Sequence, residues 1–485
     1  MQVTLNKYRL YNFMAMIFML VAMIFIVGYK IQCVWIVYLV QLLMHLFLVC
    51  RIKDLCLTKL LSPCFLSLLY LSLNFLFGSM FVLNDIAIGS GLGLLDKIHA
   101  VTISNLQIAN SFFILCNGIV FDVWLRGLKW RSFKNTHVFD VREFKKGRLF
   151  VFSLFILLFC AIVPIDLSMF GGAVADGTGA AENFNYYYRV VTIIFLSVGF
   201  FYTKERRVRY LFYLLMILYL VLTSFSSKRE ILFVVIFFLF IESLKQKLVL
   251  KVSIKNIAYL FIVSILAIWI ILVSSVLRGY GNYDIKSPLD AFKSVNKYIQ
   301  EDYFLEAATA NFEVNSAYGH SMMCVDYVLN ENIPLQYGKT FIKVLFIPFP
   351  RQMFPEKPNA MIDIYTRTYD PLFRSLGGSY PVCIYSEMFA NFLFLAPFFV
   401  LLFFILFESM YYRILEQMDS RKSLFKLISL LMIYTLFISA VRGGGLESLV
   451  IPYIITLPVL LFLLLFCRKR PNQKLYVSRY LKIYR

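Results

Sequence analysis

The runs RGYGNYD (278–284), PLQYGKTFIKVLFIPFPRQMFPEKPN (334–359) and RSLGGSYPVCIYSEMFANF (374–392) belong to one stretch, 278–385, the only long part of this chain that is not continuously apolar. What flanks it on both sides reads as membrane. Backbone that is neither helix nor closed barrel cannot face lipid, so a long hydrophilic excursion between apolar spans is where a membrane protein keeps polar chemistry.

Working outward, the composition agrees. Sixty per cent of the 485 residues are hydrophobic, with 50 Phe and 31 Tyr, and the mean hydropathy is +0.74. The apolar runs are continuous over about twenty residues, the length that crosses a bilayer as a helix, and they lack the alternation of a transmembrane barrel. The fold class is therefore an all-α polytopic membrane protein with about 12 spans and one large extracytoplasmic loop. The spans fall near 11–28, 31–50, 60–83, 98–121, 149–168, 189–203, 208–224, 230–244, 255–276, 385–407, 425–440 and 449–467. This divides the chain into a membrane region (1–276), the loop (277–384), a second membrane region of three spans (385–467) and a basic tail (468–485). Lys7 and Arg9 precede the first span as in a signal peptide, but no small-x-small cleavage site follows, so that span reads as uncleaved.

Charge sets the orientation. With the N-terminus in the cytoplasm, the inside segments hold 32 of the 48 Lys and Arg, and ten of the 16 on the other side lie in the long loop. Weighed over short loops, that asymmetry puts both termini inside and the long loop outside the cytoplasmic membrane. The formal charge of +20 is thus spread over loop ends that meet anionic lipid headgroups, and it does not call for a nucleic-acid partner.

Several chemistries are excluded by spacing. Gly338-Lys339-Thr340 resembles the end of a phosphate-binding loop, but position 333 is Ile where glycine is required, and the segment lies on the wrong side for ATP. The four histidines, His45, His99, His137 and His320, form no HExxH pair, no DxD pair is present, and the nine cysteines show no zinc spacing. No metal site or cofactor is expected. Of the cysteines only Cys324 and Cys383 fall on the outer side, where a disulfide between them is one option, and Cys56 lies in a cytoplasmic loop.

What remains is a set of outside cations beside the membrane: Lys228 and Arg229 in SSKRE, Arg278, Arg351 and Lys357 around FPRQMFPEKP, and Arg442 at the start of RGGGLE. Each breaks the charge asymmetry and calls for a compensating anion. The guanidinium fork binds phosphate bidentately and a diphosphate offers several such sites. The alternative is snorkelling to headgroups or pairing with Glu230, Asp284 or Glu447. Glu387 and Asp363 are candidate bases; at the start of the span near 385–407, Glu387 is either a partly desolvated base or a carboxylate favoured by the helix dipole. Tyr280, Tyr283, Tyr365, Tyr369 and Tyr380 read as sugar-stacking platforms or as an interfacial aromatic belt. Residues 289–331 have a helical pattern suited to the membrane surface.

The pattern Tyr337-Gly338, then Pro350-Arg351, Phe354-Pro355 and Lys357-Pro358, then Gly377-Gly378, Glu387 and Asn391-Phe392, resembles the outer-loop signature of the Wzy-type polymerases of O-antigen and capsule repeat units. The match covers about sixty residues, and the usual Asn-Phe-Gly reads Asn391-Phe392-Leu393 here. The resemblance implies a GT-C-like architecture and a metal-independent transfer of a glycan from undecaprenyl diphosphate to the hydroxyl of another lipid-linked repeat unit. Within that chemistry, side and charge make Arg278, Arg351 and Glu387 the expected catalytic residues, with Lys228, Arg229, Tyr280, Lys357, Tyr380 and Arg442 binding diphosphate or sugar. A chain-length regulator and a flippase are the implied partners, beside membrane lipid. Two other readings stay open: a lipid-linked oligosaccharide flippase or transporter, and an O-antigen ligase dependent on a loop histidine, for which His320 is the candidate.

Overall fold

Apolar runs bounded by capping residues set where helices begin and end. The computed structural model describes residues 2–52, 57–86, 94–128, 288–301, 314–346, 354–375, 378–421 and 440–445, with isolated positions between them. The described residues are helical, without a strand. Five segments are long and apolar enough to cross a membrane: Leu5–Tyr29, Ile31–Arg51, Pro63–Val82, Ile103–Gly127 and Ile384–Glu416. They coincide with the spans expected near 11–28, 31–50, 60–83, 98–121 and 385–407. The expected spans at 149–168, 189–203, 208–224, 230–244, 255–276, 425–440 and 449–467 lie outside the described residues, apart from isolated positions.

Helices α1 (Gln2–Tyr29), α2 (Val34–Arg51), α3 (Leu57–Leu60), α4 (Pro63–Val82), α5 (Leu94–His99) and α6 (Ile103–Gly127) form the first body. Ser62 caps α4, its Oγ accepting the Phe65 N–H at 3.4 Å ahead of Pro63. Thr102 caps α6 in the same way, accepting the Asn105 N–H at 3.2 Å, so the helix starts at Ile103 and the expected 98–121 span loses its first turn to α5.

Polar side chains fix the register of these helices. Arg9 Nε donates to Asp122 Oδ1 at 2.6 Å, Asn12 Nδ2 to Gly118 O at 2.9 Å and Gln107 Nε2 to Ile24 O at 3.0 Å, which sets α1 antiparallel to α6. A Cβ on Gly118 would lie 2.7 Å from Met16 Sδ; the missing side chain is what lets the two backbones approach. Tyr38 donates to Asn110 at 2.8 Å and His45 stacks on Phe121 at 4.2 Å, so α2 runs parallel to α6. The Phe65–Trp124 and Phe75–Phe113 ring pairs, at 5.0 and 4.6 Å, set α4 antiparallel to it. Leu10, Met14, Ile17, Val21 and Ile24 line one exposed stripe of α1. An apolar face of that length suits lipid and not water.

Two described helices fall in the first part of the 278–385 stretch. Helix α7 (Pro288–Gln300) packs Val295 and Tyr298 on Leu272, Val273 and Val276. Helix α8 (Val314–Leu329), which belongs to the expected surface segment, is buried inside the bundle. Tyr318 donates to Asn110 Oδ1 at 2.8 Å, and Asn105 donates to Asp326 Oδ1 at 2.8 Å. These pairs set α8 antiparallel to α6. The physical reason is that α8 satisfies its own backbone, and its polar side chains find partners across the interface.

After α9 (Lys339–Ile342), α10 (Met361–Tyr369) and α11 (Pro371–Ser375), the expected span 385–407 is broken into α12 (Ile384–Phe392) and α13 (Ala396–Arg421). The rings of Tyr385 and Phe404 are 6.4 Å apart; in one straight helix nineteen residues would separate them by about 28 Å. The reversal occurs at Leu393, with φ +47 and ψ −125. Tyr385 donates to Asn117 at 3.2 Å and Phe389 packs on Phe112 at 5.1 Å, so α12 is also antiparallel to α6. Extended along 1.5 Å per residue, this register starts α12 near the midpoint of α6. It is a short helix rising toward the end of the bundle where α6 begins. Helix α13 returns the full length: Glu408 Oε2 accepts the Cys64 N–H at 3.1 Å and Tyr411 donates to Thr58 O at 2.6 Å.

Candidate functional site

Helix α12 starts where its first free N–H finds a partner: Cys383 N–H donates to Ser321 Oγ at 2.9 Å, and Ser386 Oγ donates to Ser321 O at 2.8 Å. One turn on, Glu387 is buried, 3 % exposed. Its Oε1 accepts the Thr340 hydroxyl at 2.8 Å. Thr340 Oγ1 in turn accepts from Asn391 Nδ2 at 2.8 Å, and the same nitrogen donates to Glu387 O at 2.7 Å. The result is a relay, amide to hydroxyl to carboxylate.

Two other stretches close on that carboxylate. Thr340 is delivered by a turn with Tyr337 at φ +48 and Gly338 at φ +81, tied to α12 by Gln336 N–H to Ala390 O at 3.0 Å. A Cβ on Gly338 would still lie 3.6 Å from the Phe392 ring, so its glycine serves the φ and not the space. Opposite, the π-helical turn Ala440–Gly444 carries Arg442. Gly443, at φ +138, brings its backbone so near Val382 that a Cβ would sit 2.7 Å from Val382 N and O. Gly445 follows at φ +62, and a Cβ there would lie 3.3 Å from Glu387 Oε2. Three sequence-distant stretches thus meet at Glu387.

A second cluster surrounds His320. Its Nδ1 is 2.9 Å from Tyr365 Oη, and its ring stacks on Tyr380 at 4.2 Å and meets Tyr369 edge-on at 5.0 Å. Phe373 packs on Tyr380 at 4.6 Å. The Tyr380 hydroxyl donates to Asp370 at 3.2 Å; burial, with the Asp370 charge beside it, pushes its pKa up to about 12. Lys97 lies 3.7 Å over the Tyr369 ring and donates to Tyr369 O at 2.6 Å. Burial lowers the Lys97 pKa against the opposing pull of Asp370. Tyr365, Tyr369 and Tyr380 therefore surround His320, and Tyr369 also meets the rings of the other two.

Of the residues singled out in the sequence, Glu387 and the Arg442 turn are brought together. Glu387 does not cap α12: the cap position is Cys383, and the carboxylate is turned to Thr340. Lys357 is buried in the turn after Phe354, to whose carbonyl its N–H donates at 3.1 Å. Asp363 is taken up in a buried ion pair with Arg374. Cys324 and Cys383 are buried free thiols, so the disulfide option is not realised. Arg278, Arg351, Lys228, Arg229 and Tyr280 lie outside the described residues.

Thr340 and Asn391 are functional-site residues that the charge pattern passed over, since neutral side chains leave no mark in it. Lys343, three residues beyond Thr340 and buried, was likewise counted only as loop charge; residues at that spacing share a face. Comparison with family models, with curated proteins and with solved structures finds no match to this chain.

Proposed function

We propose that the chain is a membrane glycosyltransferase that polymerises undecaprenyl-diphosphate-linked oligosaccharide repeat units on the outer face of the cytoplasmic membrane, on a twelve-span, GT-C-like scaffold. The observation that carries this reading is the convergence at Glu387. Tyr337-Gly338 on one stretch and Glu387 with Asn391-Phe392 on α12, quoted above for their resemblance to the polymerase signature, meet with the Arg442 turn around one buried carboxylate.

In this reading the acceptor hydroxyl oxygen attacks the anomeric carbon and its proton passes to Glu387. The bond from that carbon to the phosphate oxygen breaks, and its electron pair leaves on the lipid diphosphate. Arg442, with Arg278, Arg351, Lys228, Arg229 and Lys357, supplies the cations on which that growing charge is stabilised. No nucleotide enters the balance. The test is the purified protein in liposomes, given the lipid-linked repeat unit extracted from the source cell as sole substrate, with a chelator present. A ladder of products is expected, reduced about a hundred- to a thousandfold by Arg278→Ala, Arg351→Ala or Glu387→Gln in folded protein.

One observation favours the transporter as a second reading. A helix that starts inside a bundle, as α12 does, is how transporters build a midplane site, and α6 carries a column of bonded polar residues, Asn105, Asn110, Asn117 and Asp122. Movement of the lipid-linked unit across the liposome bilayer, with no ladder, would decide for it.

A further inference from the structure

The geometry points to Asn391 as the residue that reads a hydroxyl of the bound glycan, its Oδ1 accepting one hydrogen bond from the saccharide. This deepens the polymerase reading and rests on it. Asn391 is 1 % exposed, and both hydrogens of its amide are committed, to Thr340 Oγ1 and to Glu387 O. The assignment of the two ends of the amide is fixed by those partners. Thr340 gives its only hydrogen to Glu387 and can only accept from Asn391, and the Glu387 carbonyl can only accept. Oδ1 is therefore the outward acceptor, and it is buried with no partner. Leaving such an atom unmet costs about 1–3 kcal/mol, which a ligand hydroxyl would remove.

The surroundings match a sugar and not an anion. Asn391 lies four residues after Glu387, on the same face of α12, so the orphan acceptor stands beside a carboxylate. Two acceptors side by side suit neighbouring hydroxyls and repel phosphate. The Gln336–Thr340 turn lies against the last turn of α12, tied to it by the Gln336 N–H to Ala390 bond.

The test compares two ligands on the full-length protein in detergent: the lipid-linked repeat unit and bare undecaprenyl diphosphate. Asn391→Ala should weaken binding of the glycan-bearing lipid about tenfold, the worth of one neutral hydrogen bond, and leave the bare lipid diphosphate unchanged. Asn391→Ser keeps a hydroxyl able to bond the Glu387 carbonyl four residues back but cannot reach the ligand. It should give the same selective loss if the alanine variant does not fold. Equal loss for both ligands, or no loss in a folded variant while wild type still builds polymer, overturns the inference and leaves the polymerase standing. A wild-type protein that neither polymerises nor prefers the glycan-bearing lipid overturns both.

Discussion

The shaft formed by α1, α2, α4 and α6 and the short helix α12 are equally helical, but they put polar residues to different uses. In the shaft, the amides of Asn12, Gln41 and Asn110 join helices to one another. Asn110 Oδ1 accepts from Tyr38 and Tyr318 at once, both at 2.8 Å, and Asn12 ties α1 to Gly118. On α12, hydrogen bonds tie the Glu387 carboxylate and the Asn391 amide to the Thr340 turn. The lesson is that polar content inside a span does not by itself mark function.

The sharpest way to break the second region and spare the first is Gly443→Ala. With φ +138 and a Cβ that would lie 2.7 Å from the Val382 backbone, the turn has to leave α12, at about 3 kcal/mol or more. A large fall in Tm in detergent is expected, together with loss of polymer. Gly147→Ala, where a Cβ meets nothing within 4 Å, should leave Tm unchanged. In the shaft, Asn110→Leu strands two buried tyrosine hydroxyls. Interhelical bonds in membranes are modest, so about 1–2 kcal/mol of stability should be lost, with binding of the lipid diphosphate retained. The smallest effect is a gain. Leu393 sits at φ +47, ψ −125, a region that glycine occupies without steric cost, so Leu393→Gly should raise stability by about 1 kcal/mol.

That last position shows how far sequence reasoning reached. The first four helices were legible because apolar length decides them, and Ser62, Pro63 and Thr102 mark their starts. The reversal at Leu393 was not legible from hydropathy, because FLFLAPFF is apolar on both sides of the bend. Two local signs were present: Pro397, in the first turn of α13, and the glycine usual after Asn-Phe in the resembling family, which falls where the backbone turns left-handed. Glu387 and Arg442 were found through their charge, since a charge near a span has to be explained. Asn391 was marked by the resemblance alone and Thr340 not at all, because an uncharged amide and hydroxyl acquire meaning from their partners. His320 was visible as a lone histidine, but its enclosure by three tyrosines depends on contacts across 60 residues of sequence.

The account turns on the claim that residues 384–421 form a hairpin that lifts Glu387 into the bundle and do not run as one span. The direct measurement is oxidative cross-linking of Tyr385→Cys paired with Phe404→Cys in an otherwise cysteine-free chain, read on a non-reducing gel after a protease cut between the two positions. The hairpin brings these side chains together and predicts fragments held by a disulfide. Fragments that separate, with nitroxides at the same two positions about 28 Å apart, would show a single straight helix and contradict the account.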